Sequence, residues 1–341
     1  MATPQGIEPR AVEQWFGEHV PQARAPLDYE LIAGGHSNMT FVVSDATGAR
    51  WVLRRPPLAQ RLATAHDVGR EHRVIAALQD TSVPVPPVVG RCDDETLIGQ
   101  PFFVMEYVEG EVLHDAEAVE HHLPAARRRT AAEQLVDVLA RLHRVDPDTV
   151  GLGDLGRKEG YLQRQLRRWS TQWEQSRTRE LPVVDRVHQR LVEQAPEQGP
   201  ATIVHGDFRF GNCLTTADGK VAAVLDWELC TLGDPLADLG WFLHYWDEPT
   251  DPMRGATRQP SRAEGFPTRA EVVEHYAQRS GRDVSRIDYY RAFAAWRSAC
   301  IGEGVYSRYL KGALGEPPPD LDLYREAVEH SAQRAEQLLA S

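Results

Sequence analysis

The sequence is poor in cysteine and has no long apolar run, and each shortage removes a class of protein. Four cysteines, Cys92, Cys213, Cys230 and Cys300, are scattered without a CxxC pair or other metal-ligand spacing. Neither a disulfide framework nor a zinc module is expected, and reduced thiols in a cytoplasmic protein are. No stretch of about 18 apolar residues occurs, which argues against a transmembrane helix. The opening MATPQGIEPR lacks the apolar core of a signal peptide, so a soluble chain with no membrane partner is expected. Positive charge is also short: 38 basic residues stand against 50 acidic ones, a formal net charge of −12. That balance disfavours nucleic acid or an anionic membrane as the main partner while leaving room for a local basic site for phosphate. No internal repeat or low-complexity tract interrupts the 341 residues, a length that suits one large two-lobed unit or two ordinary domains.

What is present centres on His205 to Glu228, HGDFRFGNCLTTADGKVAAVLDWE. Asp207 lies five residues before Asn212, and Asp226 closes the apolar run Val221 to Leu225. Between them Asp218-Gly219 marks a turn. If Cys213-Leu214 pairs with Val224-Leu225, the hairpin brings Asn212 and Asp226 to one open end. Carboxylate and amide oxygens suit a hard cation such as Mg²⁺, whose remaining positions go to water and substrate phosphates. A magnesium nucleotide is the natural guest.

Upstream, residues 7–19 have the pattern of a short amphipathic helix with Val12, Trp15 and Phe16 on one side. Leu31 to Val43 reads as two strands around a turn containing Gly34, Gly35, Ser37 and Asn38, and Arg50 to Arg54 as a third strand. A glycine turn lets backbone N–H groups approach phosphate oxygens closely, although a plain hairpin turn has the same signature. Alternation puts Val52 and Arg54 on one face of the third strand, with Arg55 as the competing cation. Residues 66–78 are helical in spacing. The proline-rich run 83–89 reads as an extended connection, and 101–110 as an apolar strand ending in a turn. Helices are predicted over 124–144, across 161–195, and over 269–279, 287–309 and 321–339. Residues 247–267, rich in proline, glycine and charge, read as a loop, mobile or folded over a substrate.

Asp-x-x-x-x-Asn followed by a hairpin and a further Asp resembles the catalytic loop and metal-binding aspartate of the protein kinase-like superfamily. HGD with DWE in place of DFG is similar to its aminoglycoside phosphotransferase branch. The resemblance covers about residues 30–245 and implies an α+β, bilobal protein kinase-like fold, with an N-terminal antiparallel sheet lobe and a mainly helical C-terminal lobe. It divides the chain into a nucleotide-binding lobe, 1–108, and a helical lobe with catalytic loop and acceptor site, 109–341. It implies ATP and Mg²⁺ as cofactors. The turn at Gly34, Gly35, Ser37 and Asn38 would cover phosphates, and Glu106, Tyr107 and Val108 would meet the nucleotide base as the hinge. Arg54 stands where the family carries lysine; it keeps the charge, but its planar fork reaches differently. Glu71 would be its helix-borne partner.

On the same resemblance Asp207 is the general base or hydroxyl-orienting group, Arg209 faces the transferring phosphate, and Asn212 with Asp226 holds Mg²⁺. His205 is expected to fix the loop by hydrogen bonding, Asp234 to cap a helix and Asp238 to brace the catalytic loop. No APE-type activation segment follows Asp226, which disfavours a protein substrate. VLRRPP, HGDFRFGN and DWELCTLGDPLADLGW look especially like kinase-like domains associated with acyl-CoA dehydrogenases. They imply a small-molecule hydroxyl acceptor such as a hydroxyacyl thioester, with an aminoglycoside second. Two other classes stay open: a catalytically idle nucleotide-binding module, suggested by Arg54, and a metallohydrolase using His205 and Asp207 as ligands. A monomer or homodimer is expected.

Overall fold

The computed structural model describes residues 4–33, 38–58, 67–253, 258–318 and 320–340. The chain divides into two compact units, one of residues 1–109 with 222–230 and one of 110–221 with 231–341.

The first unit opens with α1 (Pro9–His19), which starts on a proline in its first turn and buries Val12, Trp15 and Phe16. Its strands are β1 (Asp28–Ala33), β2 (Met39–Ser44) and β3 (Arg50–Arg55), followed by α2 (Val68–Leu78), β4 (Val88–Cys92), the single turn α3 (Glu95–Ile98) and β5 (Phe102–Glu106). The sheet order is β1-β2-β3-β5-β4 and every neighbouring pair is antiparallel. One face, carrying Phe41, Val43, Trp51, Leu53, Phe102 and Val104, packs with Trp15 and Phe16 of α1 in one apolar cluster. The strand β4 begins in the last two residues of the run 83–89 that reads from sequence as an extended connection. Its prolines, Pro84, Pro86 and Pro87, all precede the strand, and the strand is at the sheet edge, where a missing N–H is tolerated.

The helix α2 is capped by Asp67, whose side chain accepts the Arg70 N–H at 3.0 Å. It buries Val68, Glu71, Val74, Ile75 and Leu78. Glu71 therefore sits on the apolar face, a position a carboxylate holds only with a partner.

The second unit contains α4 (Ala116–His122), α5 (Ala125–Leu142), α6 (Tyr161–Ser176), α7 (Pro182–Glu193), β6 (Thr202–Val204) and β7 (Cys213–Thr215). After β8 (Val221–Val224), most of which belongs to the first unit, it resumes with β9 (Thr231–Gly233), α8 (Pro235–His244), α9 (Arg269–Ser280), α10 (Ile287–Leu310) and α11 (Leu321–Leu338). The strands β6 and β9 pair antiparallel, Ile203 opposite Leu232. The span 161–195 is two helices, not one. Pro182 starts α7, and the break between them is held by Glu303, which accepts the Thr178 N–H and hydroxyl at 2.7 Å each and Arg179 Nη1 at 3.1 Å.

Helix α10 is the packing centre: α6, α7, α8 and α11 all lie against it. Ala292, Ala295 and Ala299 are buried there beside Phe293 and Trp296, small residues that let neighbouring helices come close. Trp169 and Trp173 of α6 belong to the same core, in keeping with a packing role. At the α8 contact a Cβ on Gly240 would lie 2.6 Å from the Tyr290 carbonyl oxygen. Gly240→Ala is expected to destabilise this unit by about 1–3 kcal/mol, the usual range for overpacking against backbone, read as a lowered urea midpoint with unchanged slope.

Candidate functional site

In the first unit the site is a buried charge cluster on Arg54. The β2–β3 register sets Arg54 opposite Thr40 and Arg55 opposite Met39, so the two arginines point to opposite sheet faces. Arg55 is buried on the α1 side and bonds to the carbonyl oxygens of Gly6, Pro56 and Ile98. Arg54 is the one that meets the carboxylates. Its Nε donates to Glu71 Oε2 at 2.7 Å, its Nη2 to Asp226 Oδ1 at 2.7 Å and its Nη1 to Thr40 Oγ1 at 3.3 Å. Burial opposes the charge of Arg54, but Glu71 and Asp226 overcome it and raise the guanidinium's pKa. Asn38 is buried and donates from Nδ2 to the same Glu71 oxygen at 3.2 Å. Gly34, Gly35 and Ser37 lie outside the described residues.

Asp226 has φ 62° and ψ 61°, the left-handed region, and is the one positive-φ residue other than glycine among the described residues. A side chain with a Cβ is disfavoured there by up to about 1–2 kcal/mol, a cost that aspartate bears better than most residues, and such strain gathers at functional positions. The 3₁₀ turn that follows, Trp227–Leu229, contacts α2, and Trp227 Nε1 donates to Val224 O at 3.0 Å. Asp226 Oδ1 is taken by Arg54, and its side chain is 33% exposed. Glu106 ends β5 with its N–H on Pro87 O at 2.8 Å. Tyr107 lies under the Arg50 guanidinium, 3.8 Å from ring centroid to Cζ, and Val108 is half-buried beyond it.

In the second unit the loop after β6 carries Asp207, whose carboxylate is held from both ends. Trp241 Nε1 donates to Oδ1 at 2.6 Å. Asn212 Nδ2 donates to Oδ2 and to the Asp207 carbonyl, both at 2.8 Å, and Arg209 Nε approaches Oδ2 at 3.4 Å. Because both Asn212 bonds come from its nitrogen, its amide oxygen is the atom left to bind elsewhere. His205 Nδ1 accepts the Asp207 N–H at 3.2 Å, so the ring fixes the loop.

Beneath the loop Asp238 of α8 is fully enclosed. It accepts the His205 N–H at 2.5 Å and the Gly206 N–H at 2.8 Å. His143 Nε2 lies 3.4 Å from Asp238 Oδ2, and its Nδ1 is 2.7 Å from the Tyr276 hydroxyl. An ionised carboxylate only accepts, so Nε2 carries the proton and Nδ1 takes the tyrosine's. Burial pushes the His143 pKa down, with Asp238 opposing. Burial would raise that of Asp238, but the His143 hydrogen bond and the loop N–H groups hold it below the usual carboxylate range. Asp234 caps α8 through the Leu236 N–H at 3.0 Å and accepts the Tyr290 hydroxyl at 2.7 Å. Arg297, which donates to Gly206 O at 3.0 Å, is a site residue on a helix outside the sequence motifs. Trp241 ends the DWELCTLGDPLADLGW motif, but the motif gives it no role.

The model of the phosphotransferase enzyme family matches residues 28–290. The chain belongs to that family. A mouse protein, acyl-CoA dehydrogenase family member 10, is 34% identical over 316 residues, covering 92% of this chain and 29% of that protein. The chain thus spans under a third of that curated relative. A crystal structure from Ralstonia eutropha, provisionally named an aminoglycoside phosphotransferase, is 34% identical with a TM-score of 0.81, covering 97% of this chain and 99% of that one. The aminoglycoside phosphotransferase APH(4)-Ia, solved with AMP-PNP and hygromycin B, shares the fold at 16% identity and a TM-score of 0.58, over 97% and 98% of the two chains. The α+β, protein kinase-like fold follows from these likenesses, and the family is one of phosphotransferase enzymes. Among the described residues no three His, Cys, Asp or Glu side chains gather as a metal site, and no helix is long and apolar enough to cross a membrane.

Acid should loosen the second unit in two stages. His143 is neutral when folded, so its contribution falls as pH drops below the ordinary histidine value of 6.5, where only the unfolded chain takes the proton. Asp238, with its folded pKa depressed, contributes above the ordinary aspartate value of 3.8 and loses that contribution as pH falls through its lower folded value. Urea midpoints measured from pH 7.5 to 5 should decline, and His143→Gln should flatten that decline.

Proposed function

We propose that the chain transfers the γ-phosphoryl group of ATP to a hydroxyl of a small molecule, with Asp207 as the residue that receives and orients that hydroxyl. The observation that carries this is the fixed carboxylate of Asp207, gripped at Oδ1 by Trp241 and at Oδ2 by Asn212. Phosphoryl transfer asks chiefly that the acceptor oxygen be aligned with phosphorus, and a carboxylate held at both oxygens provides that. Asp207 takes the hydroxyl proton as the acceptor oxygen bonds to the γ-phosphorus and the bond from that phosphorus to the bridging oxygen breaks, with ADP as the leaving group. Arg209, at the rim of the same loop, faces the negative charge that builds on the transferred group.

Asn212 and Asp226 are the residues to hold Mg²⁺. The donor chemistry fits: the amide oxygen of Asn212 is released by its two nitrogen bonds to Asp207, and Asp226 is partly exposed in a strained conformation. When bound, the ion neutralises phosphate charge. Arg54, gripped by Glu71, takes the nucleotide's phosphates in place of the family lysine. Gly34, Gly35, Ser37 and Asn38 are assigned to cover those phosphates, and the backbone of Glu106, Tyr107 and Val108 to meet the base. Residues 1–108 then serve the nucleotide and 109–341 the acceptor. Four buried free thiols suit a reducing cytoplasm.

Beside Arg209 lies a narrow recess walled by His114, Phe210, Tyr245, Trp246 and Gln259 among others, with room for little more than one water molecule. The choice of acceptor therefore rests on the sequence resemblance, which puts a hydroxyacyl thioester first and an aminoglycoside second.

Asp207→Asn should lower turnover by about 10²–10⁴-fold, the usual contribution of a positioned acid–base group, and largely spare nucleotide affinity. Asp226→Ala should weaken Mg-dependent nucleotide binding at least tenfold. A nucleotide-consumption screen over hydroxyacyl thioesters, aminoglycosides, choline-like alcohols and sugars, with mass detection of product, identifies the acceptor. Tight nucleotide binding with no phosphorylated product on any acceptor would favour an idle module. Undiminished turnover in the Asp207 variant would remove its assigned role.

A further inference from the structure

Arg297 is a buried cation with no carboxylate at ion-pair distance among the described residues, and its Nε has no hydrogen-bond partner. A charge so placed is costly: replacing buried charges by apolar side chains of like volume is often neutral or stabilising. Its one hydrogen bond goes to the carbonyl of Gly206, the residue before Asp207, at 3.0 Å. The guanidinium otherwise lies against two indoles, 4.0 Å from the Trp241 ring centroid and 5.2 Å from that of Trp169. Trp241 in turn donates its N–H to Asp207 Oδ1 at 2.6 Å. Burial lowers the pKa of Arg297, and among the anions opposing that are Asp207 and Asp238.

We propose that Arg297 is a positioning residue for the transfer reaction: stacked on Trp241 and bonded to Gly206, it clamps the indole that orients the Asp207 carboxylate. This rests on the assignment of Asp207 above. The guanidinium plane sets the tilt of the indole through cation–π attraction, which strengthens when both partners are desolvated. The indole has only one donor, so its tilt decides where Oδ1 is anchored. The Gly206 bond ties the same cation to the loop backbone, so a rotation of the loop would break that bond and the Trp241–Asp207 bond together. Trp169 closes the far side and keeps the guanidinium from following a displaced indole. The fold thus keeps an unpaired buried charge at the one place where it controls the carboxylate's aim.

The separating feature is the sign of the stability change. If Arg297 served packing alone, its loss would reduce activity only as far as it reduced stability. As a clamp, Arg297→Met should leave the melting temperature unchanged or raised while kcat falls at least tenfold at unchanged nucleotide KM, and Arg297→Lys should recover part of the loss. Trp241→Phe keeps an aromatic face for Arg297 and removes the N–H, and should lower kcat at least fivefold. Hydrogen exchange of the Trp241 indole N–H, followed by NMR, gives a readout that needs no acceptor: Arg297→Met should speed it at least tenfold. Unchanged kcat and exchange in Arg297→Met, or a kcat loss that tracks a lowered melting temperature with exchange unchanged, would overturn the clamp. Asp207→Asn is run beside these variants: if it leaves transfer intact the assignment of Asp207 fails, and if it abolishes transfer while Trp241→Phe is fully active, only the clamp fails.

Discussion

The carboxylate of Asp238 accepts the backbone N–H groups of His205 and Gly206, and the conformation of the loop bearing Asp207 depends on that pair of bonds. A buried loop has backbone donors that strand pairing does not reach, and each left unmet would cost about 1–3 kcal/mol. Placing an ionised side chain beneath them answers the loop's need and creates another, a buried negative charge. The neutral His143, tied to Tyr276, meets it without adding a full positive charge. The chain of bonds runs from α9 through α5 to α8 and the loop, so the geometry of the Asp207 loop inherits the rigidity of helix packing around α10.

The first unit answers the same electrostatic problem differently. Glu71 lies on the apolar face of α2 and is almost wholly enclosed, where a lone carboxylate would not remain charged. Arg54 reaches it from β3 and reaches Asp226 with its other branch. A lysine has one nitrogen for such work; the guanidinium has three, set in a plane. Arginine at this position thus satisfies both carboxylates at once. Its consequence is geometric, because the fork fixes the spacing between α2 and the strained turn at Asp226.

Aromatic residues do much of the second unit's positioning. Trp241 holds Asp207 by its N–H and Arg297 by its face, so one side chain from α8 serves polar and apolar partners at once. Phe210 and Trp246, stacked with centroids 5.9 Å apart, line the recess next to Arg209 and give it a flat apolar wall without acid.

The sequence by itself determined the family resemblance and most of the elements. Asp207, Asn212 and Asp226 carry that resemblance, and α1, α2, the β1–β3 meander, α5 and the C-terminal helices follow from periodicity and turn residues, because those signals are local. It hid β4, whose edge position excuses the prolines before it, and the break between α6 and α7, which is held by Glu303 from a helix more than a hundred residues later. It left Arg54 and Arg55 as rivals, since alternation tells two faces apart but not which one carries the carboxylates. Tertiary structure decided that, as it decided the roles of Trp241 and Arg297. Their chemistry lies in which side chain each one faces across the fold, and that is a property of packing between distant segments, which no local pattern records.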